Sequence, residues 1–151
     1  MSDNDLYQEL ILDHYRNPRN NKKIEPHTHD AEGQNPLCGD ELEIFINVVD
    51  GVIDDISFEA EGCAISQASA SLMTESLKGK TLEEANAMYG KMHRVLTGAD
   101  PVEGDELVEL GKLEALGGVA EFPVRVKCAS LAWHTMHAAL ENLQSTSTEE
   151  L

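Results

Sequence analysis

The sequence predicts a single α+β domain, a small antiparallel sheet of about three strands packed against about five or six helices. Three observations carry this. Apolar residues alternate with polar ones over residues 42–48 and 52–60, the two-residue period of half-buried strands. Elsewhere they recur at three- and four-residue steps, the period of an amphipathic helix. Neither an internal repeat nor a Gly/Ser-rich linker divides the 151 residues, a length suited to one core.

In order along the chain, Leu6, Tyr7, Leu10, Ile11 and His14 mark a first helix. Asn17-Pro18 ends it, because the residue before proline is pushed out of the α region. Residues 19–34 are polar and show no helical period. Leu42, Ile44, Ile46 and Val48 then alternate with Glu41, Glu43, Phe45 and Asn47 as one strand. Val52, Ile56, Phe58 and Ala60 share a face of the next, with Asp54 as the exception. Register favours a three-residue loop, Val49-Asp50-Gly51, pairing Val48 with Val52, Ile44 with Ile56 and Leu42 with Phe58 so that one face stays apolar.

After Gly62-Cys63 the period turns helical through Ile65, Ala68, Leu72, Met73 and Leu77, stopping at Gly79. Thr81 with Glu84 reads as a capping box, opening a helix that turns Ala85, Met88, Tyr89, Met92 and Leu96 inward. Pro101, Gly104 and Gly111 break the following segment, leaving short helical turns around Leu107, Leu110, Leu113 and Leu116. A last helix is expected from about Val126, with Ala129, Ala132, Trp133, Met136, Leu140 and Leu143 on one stripe. The domain is expected to occupy residues 1–144, with residues 145–151 a frayed tail.

Charge and cysteine usage narrow the function classes. Asp and Glu number 28 against 11 Lys and Arg, giving a formal net charge of −17. A nucleic-acid binder needs clustered cations to displace phosphate counterions, so that class is not expected. No run is apolar for the ~20 residues of a membrane span, and the first residues lack a secretory pattern. Three cysteines, an odd and scattered set, fit reduced thiols in a cytosol better than a disulfide framework. The expected compartment is therefore cytoplasmic.

The cysteines fall where elements begin. Cys38 lies in the turn Asn35-Pro36-Leu37-Cys38-Gly39-Asp40, Cys63 at a strand-to-helix junction, and Cys128 in what reads as the first turn of the last helix. Helix N-termini and the nearby Arg125 and Lys127 favour thiolates, the form that binds metal or attacks sulfur. Gly39 lets Cys38 and Asp40 turn toward one centre. Three thiolates and a carboxylate make the four donors of a tetrahedral zinc site. The competing reading has three small buried thiols and an aspartate capping a turn.

Other groups are weaker candidates. His27 and His29 sit in a polar loop, and His134 and His137 read as rim or partly buried residues rather than ligands. Met73, Met88, Met92 and Met136 fall on core stripes. Arg16, Arg19, Lys22 and Lys23 form a basic cluster that is either a docking patch or a solvated helix end. Ser66, Ser69 and Ser71 have no base or oxyanion arrangement around them in the sequence.

Four motifs together resemble a known family. They are Leu12-Asp13-His14-Tyr15-Arg16-Asn17-Pro18-Arg19-Asn20, Asn35-Pro36-Leu37-Cys38-Gly39-Asp40, Gly62-Cys63-Ala64-Ile65-Ser66 and Arg125-Val126-Lys127-Cys128-Ala129. In this order they are similar to the U-type iron–sulfur cluster assembly family, which includes IscU, the N-terminal part of NifU, and SufU. The resemblance runs from Leu6 to about Leu143 and implies a SufE/IscU-like fold. Lys127 stands where IscU-type members have histidine, and the segment between the second and third cysteines is long; both resemble the SufU branch. That resemblance implies zinc held by Cys38, Asp40, Cys63 and Cys128. It also implies a SufS-type, pyridoxal-phosphate cysteine desulfurase as partner, and Cys38 as acceptor of its sulfur. The activity it implies is that of a zinc-dependent sulfurtransferase. The alternative it carries is a scaffold that builds a [2Fe-2S] or [4Fe-4S] cluster on the same cysteines and passes it to apo-proteins. Downstream iron–sulfur assembly proteins would then be further partners.

Overall fold

A computed structural model describes residues 3–98, 110–143 and 145–147. Helix α1 (Asp3–Arg16) is followed by strands β1 (His29–Asn35), β2 (Asp40–Val49) and β3 (Val52–Glu61). Helices α2 (Ala64–Leu77) and α3 (Leu82–Thr97), a 3₁₀ helix (Gly111–Val119), helix α4 (Pro123–Leu140) and strand β4 (Ser145–Ser147) complete the described residues. The expected turn at Leu107 lies outside them. The sheet runs β3-β2-β1-β4, antiparallel except for the β1–β4 pair. Helices α2 and α4 cover one face, with α1 packed on α2 and α3 on α4.

Side-chain period places the core. Leu42, Ile44, Ile46, Ile56 and Phe58 are buried on the helix side of the sheet, against Leu72 and Met73 of α2 and Leu131 and Met136 of α4. The capping box at Thr81 and Glu84 forms in both directions, and Gly98 ends α3 in the left-handed conformation. Met73, Met88, Met92 and Met136 are all buried.

The β2–β3 connection differs from the expected three-residue loop. It has two residues, Asp50 and Gly51, both with positive φ, and Val49 pairs with Val52. A bulge then restores the face: Val48 pairs with Ile53 and Asn47 with Asp55, leaving the exposed Asp54 unopposed. Beyond it Ile46 faces Ile56 and Ile44 faces Phe58. An Asp-Gly pair matches the strand twist in such a turn, and one bulged residue corrects the register that an unbroken ladder would have spoiled.

Two strands lie where none was anticipated. β1 carries only Ala31, Gly33 and Asn35 on its buried face, so no apolar alternation announces it. Gly33 is required there, because a Cβ would collide with Thr135 Oγ1 of α4. Part of the expected frayed tail, Ser145–Ser147, pairs with β1. Helix α4 also begins three residues earlier than expected, at Pro123, whose fixed φ suits a first helical position.

Candidate metal centre

β1 and β2 close on a hairpin whose end residues, Asn35 and Asp40, pair across the ladder. The carbonyl of Asn35 accepts from the backbone N–H groups of Cys38 and Gly39, and Gly39 takes a φ of 73°. That left-handed residue puts Cys38 on the exposed tip and returns the chain to a buried Asp40.

Cys63 is the N-cap of α2. Its Sγ accepts from the backbone N–H of Ser66 at 3.4 Å, and its own N–H donates to Asp40 Oδ1 at 2.8 Å. The preceding Gly62, at φ 138°, is needed because a side chain there would strike the Asp40 carboxylate. Cys128 comes in from α4, buried, with its Sγ 3.6 Å from Cys38 Sγ. It lies in the second turn of the helix, not the first, because α4 starts at Pro123.

The donor atoms of Cys38, Asp40 and Cys128 all lie within 4.8 Å of one another, a group that can hold a metal ion. Cys63 Sγ adjoins them, 3.8 Å from Asp40 Oδ2. A tetrahedral ion with zinc–sulfur bonds near 2.3 Å spaces its sulfurs about 3.8 Å apart. The Cys38–Cys128 spacing therefore suits shared coordination, and it is too long for a disulfide.

The thiols differ in acidity. The hydrogen bond from Cys128 and the Ser66 N–H draw Cys63 down to about 7 against the opposing effect of burial. Cys128 is pushed upward, first by its bond to Cys63 and then by burial. The expected thiolate-favouring helix terminus thus acts on Cys63 and does not reach Cys128.

Sequence reading missed Asn35. It is fully buried, and its Nδ2 donates to Asp40 Oδ2 at 3.0 Å and toward Cys128 Sγ at 3.5 Å. Its place just before Pro36 marks only a turn former, so the sequence carried no signal for this role. Tyr7, buried in the core, feels the charge of the centre: burial raises its phenol, Arg125 opposes that rise, and Cys63 and Cys128 add to it. Arg125 itself is exposed and lies 4.7 Å over the Phe122 ring. Within the basic cluster, Arg19 is engaged by Asp13 and Glu75 and Lys23 by Glu25. His27 and His29 go to different partners, His27 to the Ile24 carbonyl and His29 to Thr28.

The family of NifU-like N-terminal domains matches residues 6–129. The chain belongs to that family. It is 41% identical over 131 residues to the zinc-dependent sulfurtransferase SufU of Bacillus subtilis, covering 87% of this chain and 86% of that one. It is 37% identical over 138 residues to the iron–sulfur cluster assembly scaffold protein IscU of Thermotoga maritima, covering 91% and 94%. Among solved structures, a SUF-system scaffold protein from Fervidobacterium islandicum superposes with a TM-score of 0.82 at 35% identity, over 90% of this chain and 97% of that one. The family match takes in all four motif regions.

Proposed function

We propose that this protein takes sulfur from the persulfide of a cysteine desulfurase for iron–sulfur cluster assembly, with Cys38 as acceptor and zinc held by Cys38, Asp40, Cys63 and Cys128. The observation that carries the reading is the asymmetry of the donor set. Cys38 is exposed on a hairpin tip, while Asp40 and Cys128 are buried behind it. Of the three cysteines Cys38 is the exposed one, Cys63 being half-buried and Cys128 buried, so Cys38 is the sulfur most open to a macromolecular donor. The likeness to a zinc-dependent sulfurtransferase supports the same assignment.

Zinc at this donor set would keep the thiols deprotonated at neutral pH and hold them close together. The chain's own residues do the rest. Asn35 and the Cys63 N–H fix both carboxylate oxygens of Asp40, so its position does not depend on Cys38. Gly39 gives the Cys38 tip a backbone that can turn outward. In the transfer, the Cys38 thiolate attacks the outer sulfur of the donor persulfide. A new Cys38 Sγ–S bond forms as the donor S–S bond breaks, and its electron pair leaves on the donor's cysteine as a thiolate. The moving sulfur keeps its oxidation level, so no oxidant or reductant is consumed.

Metal analysis joined to a desulfurase assay tests this. Freshly purified protein should carry about one colourless zinc per chain and should stimulate desulfurase turnover. Cys38→Ala should abolish stimulation with the fold retained. A brown protein with iron and sulfide in place of zinc would favour the scaffold reading, and stimulation surviving Cys38→Ala would exclude Cys38 as acceptor.

A further inference from the structure

Outside the cysteine centre, three of the chain's six histidines gather on one seam between α3 and α4. Tyr89 of α3 stacks parallel on His137 at 4.4 Å and 3°, and its hydroxyl meets His134 Nδ1 at 2.8 Å. The ring of His93, one turn further along α3, stands edge-on to His134 with centroids 6.2 Å apart. His93 is exposed, and His134 is half-buried.

We infer that His93 and His134 form a second metal site, for a borderline divalent ion such as Zn²⁺, Co²⁺ or Ni²⁺. With metal–nitrogen bonds near 2.0–2.1 Å, two imidazoles on one ion have centroids about 5 to 6 Å apart. The observed separation is close to that span, and the exposed His93 is free of the core packing that holds His134, so its ring can turn a nitrogen toward His134. Because Tyr89 engages Nδ1 of His134, Nε2 is the nitrogen left for coordination. A hydrogen bond on the far nitrogen is what orients a metal-bound histidine and sets its tautomer. The stack on His137 in turn fixes Tyr89. Imidazole nitrogen suits these ions, and water completes the coordination of a two-histidine site at a surface. The site begins six residues beyond Cys128, about 9 Å along α4, so it is separate from the cysteine centre.

Titrating zinc-loaded protein with further Zn²⁺, read by calorimetry and by histidine-ring NMR signals, tests the assignment. A second equivalent should bind and shift the ring signals of His93 and His134. His93→Gln, a change at an exposed residue, should remove it, and Tyr89→Phe should weaken it about tenfold. His29→Gln, at the start of β1 and outside the seam, should leave it intact. Absence of a second equivalent overturns the site. So does one that survives His93→Gln, or one that depends on His29, since the seam would then be aromatic packing alone.

Discussion

The single side-chain amide of Asn35 reaches two donors of the centre at once, Asp40 Oδ2 and Cys128 Sγ. It thereby ties the hairpin to α4. Outer groups of this kind are worth about 10–100-fold in metal affinity. Asn35→Ala should weaken zinc binding by that order in a chelator competition, with unfolding little changed when zinc is saturating. Unaltered affinity would show that the backbone alone positions Asp40. The thiols make a second prediction. In zinc-free protein, alkylation of Cys63 should rise with an apparent pKa of about 7, because Cys128 and the α2 N–H groups stabilise its thiolate. Cys128 should stay unreactive there, since burial and its bond to Cys63 hold its proton. Peptide mapping across pH checks both. Residues of this sort divide sharply in legibility. Cys63 could be placed from the switch of period at Gly62, whereas Asn35, just before a proline, reads only as a turn former.

At the scale of elements, β1 depends on closeness to α4. Its hidden face is Ala31, Gly33 and Asn35, so α4 can approach until Thr135 fills the space over Gly33. Gly33→Ala should cost about 1–3 kcal/mol by overpacking. Adding Thr135→Ala should recover part of that loss, a coupling readable in a double-mutant cycle of chemical denaturation. The same small residues explain why β1 was invisible, while the richly apolar β2 and β3 were plain. The β2–β3 register could not be had from pattern alone, because the bulge at Asp54 trades one residue of pairing for a preserved face. The α3–α4 seam adds a pH effect. Burial, with His93 and His137 nearby, lowers His134 from 6.5 to about 4. A depressed imidazole favours the folded state fully above 6.5. As pH falls toward 4 the unfolded chain binds a proton that the folded one refuses, and stability declines. Urea midpoints of zinc-free protein should fall across that window, less steeply in His134→Phe; equal slopes would remove His134 from the account.

For the whole molecule, part of the charge excess stands in rows on the sheet face away from the helices. Glu32, Glu43 and Glu59 stand in one cross-strand row, and Glu41 faces Glu61 in the next. Like charges directly opposed are unfavourable, and Glu43 responds with a raised pKa, from burial first and then from Glu32 and Asp30. Screening relieves this within a Debye length of roughly 10 Å at 0.1 M salt. Thermal unfolding should therefore move to higher temperature as salt rises, and Glu43→Gln should shrink the salt effect. A midpoint insensitive to salt would show that the rows do not strain the fold. The net charge was legible from composition, but its arrangement in rows needed the register. Against that acidic exterior, the hairpin tip with exposed Leu37 and Cys38 is a contrasting surface. The central claim rests there, and mass mapping of the zinc-loaded protein after reaction with a cysteine desulfurase and cysteine tests it most directly. The account predicts one additional sulfur on the peptide containing Cys38. Sulfur found only on Cys63 or Cys128 would contradict it.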